Sequence, residues 1–295
     1  MNPLDYVALF MGQILKLIYY NISFLSYGLA IIILTILIRL ILLPLYVKQY
    51  RSTAKMQEIQ PQIQEIQKRY KTDKEKLNQE LMKVYQENKV NPAGGCLPLL
   101  LQMPILFSLY WVISQPLKFM LVKSPQLIQE LLEHVPTEFR IMGMPDLSII
   151  NYFNNHPDQL ANVGDLLKKD ELINMHFLGL NLGLRPEWNP DLLFNNPMSH
   201  QYLALLLIPI LAAVTTFISV KFSTPQPAAK NNENNMQNSM QNSMMIMMPF
   251  MTAFFAFSVP AGLGLYWIIG NVIQVFQQLY INKFIMKKKK EVADK

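Results

Sequence analysis

The chain has 295 residues, 51% of them hydrophobic and only 16% charged, with a formal net charge of +6. Soluble domains carry about 25% charged residues, so the deficit points to lipid as part of the solvent; the basic residues flank apolar runs rather than forming a nucleic-acid surface. One cysteine, Cys96, excludes an internal disulfide framework and a cysteine-cluster metal site.

Residues 1–26 are apolar but interrupted. Asp5, Gly12, Lys16, Tyr20 and Ser23 fall on one helical stripe, which predicts an amphipathic helix lying in the outer interface, with an imperfect sixth span as the alternative. The start "MNPLDYVALF" has neither the positive region nor the cleavage site of a secretory signal, so no such leader is expected. Tyr27 to Val47 follows, 21 residues in which Arg39 is the only charge. As a helix it is about 31 Å long, the thickness of a bilayer's hydrocarbon core.

Residues 48–95 are polar. Met56, Ile59, Ile63, Ile66 and Tyr70 repeat at coiled-coil spacing, and Leu77, Leu81 and Val84 share one face of a second helix. Thr72 and Glu75 have capping-box spacing and would start that helix. The pattern predicts an antiparallel hairpin with a basic, glutamine-rich outside. That outside is either a docking surface for ribosome, substrate or lipid headgroups, or simply a solvated face.

Four more spans are predicted. Residues 96–114 and 202–220 carry no charge. The apolar run from Met244 to Ile281 is broken at "VPAGLG", giving spans at 244–259 and 263–281. Residues 221–243 form a low-complexity polar loop. Its end overlaps a methionine cluster, Met236 to Met251, that suits either variable apolar partners or ordinary packing. A basic tail, 282–295, ends the chain. Ten Lys/Arg lie between Lys48 and Gly95, whereas residues 120–198 hold five against ten Asp/Glu. The positive-inside rule therefore puts 48–95 and the tail in the cytoplasm, and the N-terminus and the 115–201 segment outside.

An arginine near the middle of a span costs about 2.5–3.5 kcal/mol on insertion scales. Thr35 lies one turn before Arg39 on the same face. Gln102 interrupts the second span, and Thr215 and Ser219 share a face of the third. In the last, Trp267, Asn271, Gln274 and Gln278 recur at 4, 3 and 4. Polar groups in hydrocarbon need partners or water, and stripes on several helices meet that need by facing one hydrated cavity. Each member has a simpler reading. Arg39 could snorkel part of the way to the cytoplasmic interface, Gln102 could form an interhelical pair, and Thr and Ser could bond their own i−4 carbonyls. The set argues for the cavity.

No P-loop, H-E-x-x-H or G-x-S-x-G motif occurs, and His134, His156, His176 and His200 lack metal spacing. Neither an enzyme nor a cofactor or metal site is expected.

Three stretches carry a family resemblance: "YGLAIIILTILIRLILLPLYVKQ", the run from "MQEIQPQIQEIQKRYKTDKEKLNQELMKVYQENK" through "VNPAGGCLPLLLQMPILFSLYWV", and "PAGLGLYWIIGNVIQVFQQ". Together these resemble the YidC/Oxa/Albino family of membrane protein insertases, in the Gram-positive-type form without a large periplasmic domain. The resemblance implies an all-α polytopic membrane protein. Five transmembrane helices would surround a hydrophilic groove, with a cytoplasmic helical hairpin beside it. Arg39 matches the family's groove arginine, and Tyr266 and Trp267 match the aromatic pair that contacts passing substrate. Gln102, Asn271 and Gln274 are groove positions by location. The implied partners are nascent membrane proteins, the lipid bilayer, the ribosome and the secretory translocase. The implied place is the bacterial cell membrane. A small solute or ion transporter using Arg39 as a substrate site is the alternative, and an assembly chaperone a third reading. The 120–198 segment is long for this form and has no sequence-level explanation.

Overall fold

The computed structural model describes residues 3–91, 97–195, 199–223 and 236–286. Cys96, most of the expected 221–243 loop and the KKKK tail lie outside the described residues. Helix α1 spans Pro3–Asn21, α2 Tyr27–Ile41, α3 Leu43–Glu58, α4 Gln60–Arg69 and α5 Lys74–Glu87. After them come α6 (Leu97–Ser114), α7 (Pro116–Phe119), α8 (Pro125–Glu133) and α9 (Pro145–Asn155). A two-residue antiparallel pair, β1 (His176–Phe177) and β2 (Leu180–Asn181), precedes α10 (Ser199–Leu205), α11 (Leu207–Ser223), α12 (Met236–Ser258) and α13 (Ala261–Tyr280).

The expected 27–47 helix is two helices, bent by 57°. Ser26 caps α2, its side chain accepting the Leu29 N–H. Pro44 ends it: proline has no N–H to donate, and its ring would meet the Leu40 carbonyl in a continuous helix. Leu42 therefore closes α2 by donating to Ile38 O, and its own carbonyl then accepts the Tyr46 N–H at the start of α3.

Among the described residues one helical run, Ser199–Ser223, is by itself long and apolar enough to cross a membrane. The bent α2–α3 pair makes a second if taken together, and Gln102–Ser114 and Met245–Ser258 are shorter apolar helices. Helix α13 is 20 residues long but carries Asn271, Gln274, Gln277 and Gln278. Pro260 separates α12 from α13 as the latter's N-cap. The polar loop is shorter than 221–243, because α11 continues to Ser223 and α12 begins at Met236. Methionine and glutamine are good helix formers, and they carry the helix back through the methionine cluster.

One local expectation is corrected. Helix α5 is capped by Asp73, whose carboxylate accepts the Lys76 N–H at 3.0 Å, not by Thr72. An ionised cap also favours the positive end of the helix dipole. Of the α1 stripe, Gly12 and Ser23 are buried and Asp5, Lys16 and Tyr20 half-buried, while Tyr6, Val7, Phe10 and Leu17 form an exposed face. Its polar neighbours find protein partners. Gln13 donates to the Phe119 and Met120 carbonyls, and the Tyr19 hydroxyl accepts the Asn174 N–H.

Helices α4 and α5 meet around Ile59, Ile63, Val84 and Val90, with Met56, Ile66 and Leu81 at the edge. Leu77 is half-buried outside that cluster.

The segment after α6 folds into its own layer. Ile128, Leu131, Leu147, Ile150, Phe153, Leu167 and Ile173 are buried, and they are continuous with the core formed by α1, α2, α6 and α13. The layer is tied to the bundle by backbone. Leu184 O accepts the Ala261 N–H at 2.8 Å and Leu182 O the Gly262 N–H at 3.0 Å, so N–H groups that the start of α13 leaves free are used. Phe177 lies on Gly28, where any Cβ would overlap its ring.

Asp146, in the first turn of α9, is 2% exposed and accepts the Lys118 N–H at 3.0 Å. Burial pushes its carboxyl up to about 6, against the lowering effect of the Lys118 and Leu117 N–H groups and the Lys118 ammonium. The folded value lies above the ordinary one, so stability is full below about pH 4 and falls as pH rises through about 6. Melting of the full chain in detergent at pH 5 and at pH 7.5 should show the acidic sample more stable by on the order of 1–3 kcal/mol. Asp146→Asn should remove most of that difference; an unchanged pH dependence would assign it to another group.

Candidate functional site

Arg39 sits in the last turn of α2, where the helix dipole favours a cation. The bend that follows brings Tyr46 back over it, with the guanidinium carbon 5.4 Å from the ring centroid. Arg39 Nη1 donates to Gln274 Oε1 at 3.3 Å, and the Arg39 carbonyl accepts from Gln277 Nε2 at 3.1 Å. Gly270 makes room, since a Cβ there would lie 3.0 Å from Nη2. Arg39 is 9% exposed, and among the described residues no carboxylate pairs with it.

A second chain of bonds begins at Tyr46. Its hydroxyl donates to Gln102 Oε1 at 3.4 Å, and Gln102 Nε2 donates to the Tyr266 hydroxyl at 2.8 Å. Helices α3, α6 and α13 are thereby linked. A third group joins α13 to α11: Asn271 Nδ2 donates to Thr216 Oγ1 at 2.8 Å and Thr215 Oγ1 at 3.3 Å, and Gln274 Nε2 to Ser223 Oγ at 3.2 Å. Gln274 therefore bridges the arginine to α11.

Arg39 and Gln274, Gln102 and Tyr266, and Asn271 and Thr215 thus fall in three separate hydrogen-bond groups, the first two joined through the Arg39–Tyr46 ring contact. Thr35 does not join them; its hydroxyl donates to its own i−4 carbonyl, Ile31 O, at 2.6 Å. Ser219 is buried on α11. Trp267 is half-buried beside the main core, and among the described residues no hydrogen bond joins it to the network. Gln278 bonds Asn282 one turn on.

The sequence reading passed over Tyr46, Gln277, Gly270, Thr216 and Ser223. Gly270, Gln274 and Gln277 recur at 4 and 3, which is one helix face, and that face meets α2. Asn271 is turned about 100° from Gly270 and meets α11 instead. The stripe is really two faces sharing Gln274. Tyr46 carried no signal, because only the bend at Leu42 returns it to Arg39. Below the arginine, Tyr46, Tyr50 and Ile281 close together, each at most 8% exposed, so the guanidinium is covered on that side.

Gln102→Leu should leave the buried Tyr266 hydroxyl without its donor, at a cost of about 1–3 kcal/mol. Tyr266→Phe in that background should recover part of the loss, and a thermal-unfolding double-mutant cycle would read the coupling. Additive losses would mean that the two side chains act independently.

Comparison with known proteins bears on what this arrangement belongs to. The pattern of the family described as 60Kd inner membrane protein matches residues 18–290. The chain is 35% identical over 274 residues to membrane protein insertase YidC of Clostridium perfringens, covering 92% of this chain and 83% of that one. It is 34% identical to the insertase YidC of Oceanobacillus iheyensis (90% and 77% covered) and 33% to YidC 1 of Listeria monocytogenes (91% and 68% covered). With the match running from the end of α1 to beyond α13, this chain belongs to the 60Kd inner membrane protein family, the YidC-type membrane proteins.

Proposed function

We propose that the chain inserts integral membrane proteins and assists their folding, alone or with the secretory translocase. Its relatives bear the name membrane protein insertase. The observation that carries the mechanism is Arg39, a covered cation held by neutral partners and left without a carboxylate.

In this reading residues 27–47, 96–114, 202–220, 244–259 and 263–281 cross the bacterial cell membrane. Residues 1–26 and 115–201 lie outside; the 48–95 hairpin, the 221–243 loop and the 282–295 tail lie inside. The charge asymmetry supports that orientation. The 15 residues of α2 rise only about 22 Å, short of a hydrocarbon core of about 30 Å, so the first span is completed by the start of α3. Arg39 lies about 18 Å along the axis from Tyr27, in the cytoplasmic half.

A single-spanning substrate must carry a polar flank across an apolar slab. A positively charged, hydrated groove reaching up to Arg39 shortens that path and attracts acidic residues of the flank. Thr35, Gln102, Thr215, Ser219, Asn271 and Gln274 would line it, with Tyr266 and Trp267 against the apolar segment as it leaves into lipid. Access requires Tyr46 and Tyr50 to leave Ile281 and the guanidinium, which the long 3.4 Å Tyr46–Gln102 bond favours. The membrane potential then helps an acidic flank outward, at about 2.3 kcal/mol per charge per 100 mV. The basic hairpin and tail supply the surface for a ribosome or translocase. No covalent chemistry is needed.

Liposomes containing only this protein should protect the translocated flank of a single-spanning, acidic-flanked substrate from external protease. Arg39→Ala should lower protection roughly tenfold, matching loss of an interaction of about 1.4 kcal/mol, and Arg39→Lys should keep most of it. Full protection with the alanine variant would remove Arg39 from the mechanism. Substrate-dependent flux of a small solute with no protection would favour the transporter instead.

A further inference from the structure

Among the described residues five non-glycines hold left-handed backbone, and four of them are large, apolar and exposed. They are Phe24 (φ 51°, 92% exposed), Leu25 (φ 60°, 51%), Val122 (φ 56°, 59%) and Leu178 (φ 50°, 86%). This conformation disfavours side chains with a Cβ, most of all a β-branched one such as Val122. Leu178 precedes Gly179 (φ 78°) at the tip of the β1–β2 hairpin, a turn in which Asn-Gly is the favoured pair. Exposed as they are, these side chains gain little packing within the chain to offset that strain.

All four lie in turns tied to α1 or to the start of α2. Phe24 and Leu25 form the turn between α1 and α2. Leu178 follows Phe177, which rests on Gly28 in the first turn of α2. Val122 comes just after Met120, whose carbonyl is held by Gln13 of α1, and before Lys123, which is fixed to Glu171 and to the Leu166 carbonyl. The outward face of α1, which includes Phe10 and Leu17, is also apolar and exposed. Phe24, Leu25 and Leu178 stand where α2 begins its apolar run.

We propose that these tips form a membrane-seating surface. Phe24, Leu25, Val122 and Leu178 enter the headgroup–acyl boundary of the outer leaflet and fix the outer layer against the bilayer. Lipid is the occupant argued for because the tips are apolar and exposed, adjoin a helix with an exposed apolar face, and include the turn that opens a span. The inference rests on the chain's membrane location and on the outward placement of residues 1–26 and 115–201, and its readout does not involve insertion of a substrate.

The test uses the full chain with Cys96→Ser and single cysteines Phe24→Cys, Val122→Cys, Leu178→Cys or Asp165→Cys. Each carries a nitroxide label in liposomes of phosphatidylethanolamine and phosphatidylglycerol, with nickel chelate on both sides. Asp165, exposed in the outer layer away from these tips in sequence, reports the aqueous value. The three tip labels should collide with the chelate several-fold less often than the Asp165 label and more often with oxygen. Three separate sites keep the test valid if one variant misfolds. Chelate collision equal to that at Asp165 overturns the proposal. So does shielding from both reagents, which would mean that protein covers the tips.

Discussion

A guanidinium covered to nine-tenths and unpaired with any described carboxylate sets the terms for the rest of this bundle. Removing such a charge from water costs several kcal/mol even after relaxation. The compensation is assembled from weak parts: the carbonyl end of α2, worth roughly 0.3–2 kcal/mol, the Tyr46 ring at roughly 0.5–2, and one long hydrogen bond from Gln274. A carboxylate at the same place would satisfy the charge more fully and would compete with any incoming acid. Neutral partners hold the arginine in position and leave its attraction unspent.

The bend at Leu42 is what makes that compensation possible. A straight helix through Val47 would carry Tyr46 away along the axis and would leave no carbonyl end beside Arg39. Because Tyr46 both stacks on the guanidinium and bonds Gln102, moving α3 would uncover the charge and loosen the link to Tyr266 in one motion. Only Ile59 separates α3 from α4. A load on the α4–α5 pair therefore reaches Tyr46 along little more than one helix.

The polar positions inside apolar runs were legible in the sequence because each violates its surroundings. Arg39, Gln102, Asn271 and Gln274 are found by that test alone, and the Pro-Gly break before α13 marks its start. Pairing was not legible. Asn271 and Gln274 differ by three residues, yet one serves α11 alone and the other both α11 and α2, a distinction that depends on where neighbouring helices lie. Thr35 shares a face with Arg39 in the sequence, but its hydroxyl had a nearer acceptor in Ile31. Helix α1 held a related surprise: Gln13 and Tyr19, beside the polar stripe, are bonded by Phe119, Met120 and Asn174, which lie roughly a hundred residues or more away in sequence. The outer layer had no periodic signal, since its core comes from short helices, turns and a two-residue strand pair.

The two ends of the polar network are closed by different means, and the difference gives the bundle a direction. At the end facing residues 115–195, two backbone hydrogen bonds from α13 enter that segment's layer, and the large apolar core continues across the junction without a break. Opening there would strand backbone groups and expose much of that core, at a cost of several kcal/mol. At the other end, closure rests on three side chains, Tyr46, Tyr50 and Ile281, flanked by Leu42 and Val47. Tyrosines can turn their hydroxyls to water while giving up modest apolar contact, so this end separates first under any common stress. A charge reached only from the weaker end is a charge approached from one side. Under the proposed mechanism that one-sidedness, rather than the arginine alone, is what carrying acidic flanks in a single direction requires.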